Sequence, residues 1–145
     1  MWIERLVSDP LTHGVELAAR FAEQRHKLLA ENVANLDTPD FQPQRLDPQA
    51  FQAALRTAFE RVKRGDTDRL QLRGDAQVST TADGKLRLRP AREPAQNLLF
   101  HDGTNARLET LMTDAQQNAL SYRLALQLLR GRFNTMTAAI RGRTQ

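Results

Sequence analysis

Three histidines, His13, His26 and His101, are the first residues to test for chemistry. His13 and His26 fall on one predicted helix but not one turn apart, and the chain has no HExxH, so zinc hydrolysis has no ligand set. The seven glycines form neither a GxGxxG nor a P-loop, so no phosphate cradle is built. No serine sits in a GxSxG elbow. The absence of cysteine excludes disulfides, thiolate nucleophiles and Cys-based metal sites. Asp37 and Asp40 flank Thr38-Pro39 and could in principle form an acid–base pair, but Asp beside Pro is turn and cap chemistry. Asp102-Gly103-Thr104-Asn105 begins like a calcium loop, yet lacks its alternating acids and terminal Glu. No catalytic residue, cofactor site or metal ligand is assigned, and the chain is read as a non-enzyme without a cofactor.

The informative polar residues are Asn32 and Asn35, which sit close to an apolar helical stripe. A polar group there costs stability and fixes register. That role is expected of Asn32, whereas Asn35 helps to end a helix.

These residues need long helices to position them. Ser8-Asp9-Pro10 supplies a start, with Asp9 as cap and Pro10 in the first helical position. Leu11, Val15, Ala18, Ala22, Leu29 and Leu36 follow at alternating steps of four and three, with Arg25 and Asn32 in the two remaining seam positions. Leu17, Phe21, Leu28 and Val33 widen the apolar face. Pro39 is expected to stop this helix and to push Thr38 towards an extended conformation.

A second, longer seam lies near the C-terminus. Ala115, Ala119, Tyr122, Leu126, Leu129, Phe133, Met136 and Ile140 step by four and three without a miss, which is a heptad pattern facing a partner helix. Gly103-Thr104-Asn105 offers the start, with Thr104 or Asn105 as cap, and Gly142 the stop. Leu120, Leu124 and Leu128 form a second stripe off the seam. One antiparallel partner cannot bury both stripes, and exposed apolar stripes mark association surfaces.

Between these helices the pattern changes. Leu46-Asp47-Pro48 opens a shorter amphipathic helix carrying Phe51, Ala54, Leu55, Ala58, Phe59 and Val62, which ends at Gly65. Leu70-Gln71-Leu72 and Leu86-Arg87-Leu88 alternate as strands do, and Asp83-Gly84 predicts a hairpin turn. The expected fold is mainly α: long N- and C-terminal helices paired as an elongated coiled coil, with a small insert holding a short helix and a β-hairpin. The expected segments are 1–41, the first helix and its TP turn; 42–103, the insert; and 104–145, the last helix. At 1.5 Å per residue the last helix is roughly 55 Å long. A compact chain of this size has a radius of gyration of only about 15 Å, so the molecule is elongated or that helix bends.

Charge adds little. The net charge of +4 permits nucleic-acid or membrane contact, but basic and acidic residues interleave along the chain. The local excess at Arg130, Arg132, Arg141 and Arg143 sits where cations oppose a helix dipole. No segment reaches the ~20 apolar residues that span a bilayer, so no direct membrane insertion is expected. Met1-Trp2-Ile3-Glu4-Arg5-Leu6-Val7 is too short and too charged for a cleaved secretory signal.

The run Ala30-Glu31-Asn32-Val33-Ala34-Asn35-Leu36-Asp37-Thr38-Pro39-Asp40-Phe41 resembles the signature ANNxANxxTPGY or TPGF of the flagellar basal-body rod protein family. Glu31 and Asp40 depart from it, replacing an Asn and a Gly. Asp102-Gly103-Thr104-Asn105-Ala106-Arg107-Leu108-Glu109 is similar to that family's DGN…DLE entry to the last helix. Asn118-Ala119-Leu120-Ser121-Tyr122 and the Ala125-to-Phe133 run resemble its NxxxY…ALQLLxxKF segment. Short length and a small insert match the proximal members.

The resemblance implies a structural subunit of the bacterial rod, exported uncleaved through the flagellar type III apparatus and assembled in the periplasm at the membrane-ring base. It implies self-association and contacts with other rod proteins and the ring–rod junction protein. The packing residues would be Leu29, Asn32, Val33, Asn35, Ala119, Tyr122, Leu126, Leu129, Phe133, Met136 and Ile140, and the structural turn Thr38, Pro39, Asp40 and Phe41. The competing reading is a basic coiled-coil adaptor or nucleic-acid-associated cytoplasmic protein, which leaves the AN…AN…TP junction unexplained. Both terminal helices are expected to become ordered only on assembly, because the free chain has too few partners for its apolar stripes.

Overall fold

A computed structural model describes residues 9–73, 77–93 and 101–142, with backbone alone for 101–106. Among these residues are three helices, α1 (Pro10–Ala34), α2 (Pro48–Lys63) and α3 (His101–Ile140). Four short strands accompany them: β1 (Gln44–Arg45), β2 (Val78–Thr80), β3 (Leu86–Leu88) and β4 (Ala91–Arg92). The expected mainly α architecture is present, with two long helices joined through a small mixed insert.

Local chemistry starts the first two helices. The Asp9 carboxylate accepts the Leu11 amide at 3.3 Å and the Thr12 hydroxyl at 3.2 Å. Pro10 follows at the first helical position, where its missing N–H is no loss. α2 repeats the device: Asp47 accepts the Gln49 amide at 2.8 Å, and Pro48 follows.

α1 ends at Ala34, with Asn35 as its cap, two residues short of the expected seam position Leu36. The Asn35 side-chain amide donates back to the Glu31 carbonyl at 2.8 Å, and Asn35 Oδ1 accepts the Thr38 hydroxyl at 3.3 Å. Such bonds compete with the next helical turn. Pro39 instead occupies the second position of a tight turn over residues 38–41, closed by the Phe41 amide on the Thr38 carbonyl at 3.3 Å. Asp40, in the third position, has φ +60° and is the one non-glycine residue with positive φ among the described residues. Pro followed by positive φ is the signature of a type II turn, whose third position favours glycine. Asp40→Gly is therefore expected to stabilise the fold by about 0.5–1 kcal/mol. Urea unfolding checks this, and an unchanged or lower midpoint would refute it.

The core lies between α1 and the insert. Leu17 and Phe21 of α1 cluster with Leu46, Phe51, Ala54, Ala58, Leu70, Leu72 and Val78. Phe21 and Phe51 stack with ring centroids 4.2 Å apart and planes 11° from parallel, a geometry that adds to their burial energy. Gly14 makes the close approach of α2 possible: a Cβ there would stand 2.5 Å from Phe59 Cζ. Gly14→Val is expected to destabilise by about 1–3 kcal/mol through overpacking, as a thermal shift would report. A neutral result would mean that Phe59 swings aside freely.

The Asp83-Gly84 hairpin forms as expected. β2 and β3 pair antiparallel, with Val78 opposite Leu88 and Thr80 opposite Leu86. The Thr81 amide donates to Lys85 O at 2.9 Å, and Gly84 takes φ +78°. Leu72 runs beside this hairpin, exchanging bonds with Thr80 at 3.0 and 3.1 Å.

A second pairing was not expected from sequence. β1 and β4 are antiparallel, with Gln44 opposite Arg92 and Arg45 opposite Ala91. The Glu93 amide extends the clasp to Pro43 O at 2.8 Å. It ties the insert's entry to its exit.

α3 covers 40 residues, or about 60 Å. It begins at His101, so Gly103-Thr104-Asn105 lies inside the helix rather than capping it from outside.

Candidate assembly surface

Three polar contacts set α1 against α3. Arg132 meets Asp9 at 3.5 Å, Asn118 Nδ2 donates to the Ala22 carbonyl at 2.8 Å, and Arg25 meets Asp114 at 3.1 Å. Residue numbers rise on one helix as they fall on the other, so the pair is antiparallel. Arg25 is 6% exposed and Asn118 3%. A buried cation requires its partner, because its desolvation cost is offset only by a well-placed charge. These contacts therefore fix the register of the two helices. Asp114 and Asn118 were not singled out as register residues from sequence. Asp114 carries one weak signal, being the last acidic residue in the chain.

The expected packing residues divide into groups. Leu29 and Asn32 are buried, and Val33 and Asn35 are half-buried. On α3, Ala119, Tyr122, Leu129 and Met136 are half-buried, whereas Leu126, Phe133 and Ile140 are exposed at 42%, 56% and 83%. Thr38, Pro39 and Asp40 are exposed, and Phe41 is half-buried.

The deepest α3 positions are Asn118 and Ala125, each one residue before the expected Ala119 and Leu126. Within the chain, the contact stripe runs along one edge of the heptad seam, taking in Ala119, Tyr122, Leu129 and Met136 with Asn118 and Ala125. Small side chains and a hydrogen bond to backbone allow helices to approach closely, and the contacting side chains set that distance.

Asn32 does not serve as a lone polar residue in a helix seam. Its Nδ2 donates to Gln44 O at 2.8 Å, and its Oδ1 accepts the Gln44 amide at 3.1 Å. The side-chain amide thereby stands in for a neighbouring strand and pins β1 to α1. The register role expected across the seam is carried by Arg25 and Asn118 instead.

The outer face of α3 is apolar and open. Met112, Leu120, Leu124 and Leu128 are 52%, 65%, 57% and 50% exposed. Beyond Asp114 the helix carries Arg123, Arg130 and Arg132, followed by Arg141 just past its end, and no acid. On α1, by contrast, the surface charges are paired along the helix, Arg20 with Glu16 at 2.6 Å and Lys27 with Glu23 at 2.9 Å. The Lys27 hydrogen bond, then its charge, holds the Glu23 carboxyl below its ordinary range.

A cleft of about 490 Å³ opens between the helix pair and the clasp, bordered by Arg25, Leu29, Asn32, Arg45, Arg107 and Asp114. Arg45 meets Glu93 there at 3.4 Å. Among the described residues no group of three or more His, Asp or Glu side chains could hold a metal ion. No helix among them is long and apolar enough to cross a membrane.

A paired-helix body with a long apolar face and its polar groups committed to helix register defines a structural, helix-packing protein. In sequence the chain is a homologue of curated flagellar basal body rod proteins. It is 24% identical over 136 residues to the flagellar basal body rod protein FlgB of Bacillus subtilis (strain 168), covering 89% of this chain and 92% of that one. Against the protein of the same name from Yersinia enterocolitica it is 25% identical over 130 residues, covering 85% and 88%. Against that from Salmonella typhimurium it is 26% identical over 132 residues, covering 86% and 88%. No protein-family model matches the chain, and no solved structure matches it.

Proposed function

We propose that this protein is a structural subunit of the bacterial flagellar rod, which assembles through its terminal helices to build the drive shaft and the export channel within it. The observation that carries this reading is end-to-end similarity: rod proteins align over 85–89% of this chain and 88–92% of their own length. An alignment that long takes in the insert and at least part of each terminal helix. The open Leu120–Leu124–Leu128 face supports the reading, since a monomer gains nothing from keeping such a face in water. Copies of the chain, other rod proteins and the ring–rod junction protein are the proposed partners, and the type III apparatus the proposed route to the periplasm.

The adaptor reading retains one supporting observation, the acid-free Arg series of α3. Single-strand binding uses repeated interleaving of aromatic and basic side chains, and beside this series α3 offers just Tyr122 and Phe133.

Deleting the gene separates the two. The rod reading expects non-swimming cells whose isolated basal bodies lack a complete rod, with restoration by the intact gene. Normal swimming, together with salt-dependent DNA binding by the purified chain, would establish the adaptor instead.

A further inference from the structure

Two surface patches of opposite sign are left without partners in this chain. The first is the solvent face of the β2–β3 hairpin. Arg73 lies opposite Ser79, and Ser79 opposite Arg87, so the three share one face of the small sheet. Lys85 and Arg89 flank Arg87 at alternate positions of the chain and belong to the same face. Leu72, Val78, Leu86 and Leu88, on the other face, pack on the core. Arg73, Lys85, Arg87 and Arg89 are exposed, and the ion pairs among the described residues involve none of them.

The second patch follows the end of α1. Glu31, Asp37 and Asp40 are exposed and likewise outside those ion pairs. α1 has no basic residue in its last turn, so these carboxylates crowd the negative end of its dipole, where they are disfavoured. Asp40 also holds a positive φ that glycine would hold without strain. Glu31 and Asp40 are the two departures of residues 30–41 from the rod signature, and each introduces an acid. Neither helix stability nor turn geometry accounts for them.

We propose that the basic hairpin face of one copy docks on the acidic turn of a second copy. The two patches cannot meet within one chain. Leu86 and Leu88 border α1 at Arg20, Glu23 and Gln24, and α1 runs on to Ala34, roughly 15 Å further, before the turn begins. That exceeds the reach of an ion pair. Because the patches differ, the contact is heterologous: each copy keeps one patch free for the next, and the contact repeats around a ring or along a helix. The arginines of α3 suit the turn less well. Arg123, Arg130 and Arg141 are spaced by about 10 and 17 Å along that helix, whereas Lys85, Arg87 and Arg89 stand about 7 Å apart. The choice of a second copy rests on the rod reading; the chemistry of the two patches does not.

The chain has no cysteine, which permits a direct test. Asp37→Cys and Arg87→Cys are made in separate copies of the gene, expressed together in cells lacking the native one, and treated with a short bismaleimide. A cross-linked dimer is expected when both chains are present, and its loss when either is expressed alone. Swimming cells that give no dimer, or a dimer from one chain alone, would overturn the contact and leave the rod reading intact. If either cysteine stops swimming, charge exchange decides. Arg87→Glu with Arg89→Glu is expected to shrink swim rings at least roughly twofold, and adding Glu31→Arg with Asp37→Arg to restore them. Arg56→Glu with Lys63→Glu, an equal charge change at exposed positions of α2, should leave the rings unchanged. Rings unaffected by the first exchange, or not restored by the second, would overturn the proposal. So would salt-sensitive binding of the purified chain to phosphatidylglycerol vesicles that Arg87→Glu with Arg89→Glu abolishes, in the absence of the cross-link, since the hairpin face would then belong to an anionic membrane.

Discussion

Asp114→Ala is expected to weaken the docking of α3 by about 2–3 kcal/mol. Arg25 is 6% exposed and meets Asp114 at 3.1 Å. Removing the carboxylate leaves a guanidinium in a poorly solvated position with no counter-charge. Breaking a fully buried pair costs about 3–5 kcal/mol, but Asp114 is 32% exposed, so water relieves part of that penalty. Asp114→Asn should lose less, because an amide oxygen still accepts a hydrogen bond. Replacing both partners, Arg25→Leu with Asp114→Leu, should recover most of the stability, since an apolar pair of similar size needs no compensation. Urea unfolding followed by far-ultraviolet circular dichroism measures all three. Asp114→Ala within about 0.5 kcal/mol of the parent, as at ordinary surface sites, would show that Arg25 does not depend on this contact.

Phe133→Asp is expected to abolish swimming while leaving the isolated chain folded. Phe133 is 56% exposed, so within one molecule the substitution falls among surface changes worth about 0.5 kcal/mol or less. In an assembly that buries this face, the same carboxylate would be enclosed without a partner. That costs several kcal/mol per subunit and is repeated at every copy. The two readouts must therefore diverge, with an unaltered melting curve and a non-motile strain. Leu129→Asp should stop swimming too, but Leu129 is half-buried, so it also perturbs the monomer and makes a poorer test. A strain that swims normally with Phe133→Asp would count against the rod reading.

The features legible in the sequence are those that act over a few residues. The caps at Asp9 and Asp47, each followed by Pro, and the Asp83-Gly84 hairpin depend on side chains meeting backbone nearby. The β1–β4 clasp is different. Its strands have two residues each, too short for alternation to show, and its partners are far apart in sequence. Asn32 was visible as an unusual residue, but not as the partner of Gln44, because that contact exists only after the chain has turned at Pro39 and Asp40. Two contact positions of α3, Asn118 and Ala125, were missed for a physical reason. Periodicity records where large apolar side chains recur, whereas close helix contact here uses Ala125 and the hydrogen-bonded Asn118. The large residues at Leu126 and Phe133 are left outward.

The clasp between β1 and β4 also sets how the molecule bears mechanical force. Both of its exits, at Pro43 and Glu93, lie at the same end, joined by a single backbone hydrogen bond of 2.8 Å from the Glu93 amide to Pro43 O. Tension applied at Pro43 and Glu93 would load that bond first and then open Gln44–Arg92 and Arg45–Ala91 one after another. This is peeling, the direction in which hydrogen bonds share no stress. Sliding α1 along α3 instead strains Arg25–Asp114, Asn118–Ala22 and Arg132–Asp9 together. The clasp is therefore soft to prying from its open end, while sliding of the helix pair meets three contacts at once.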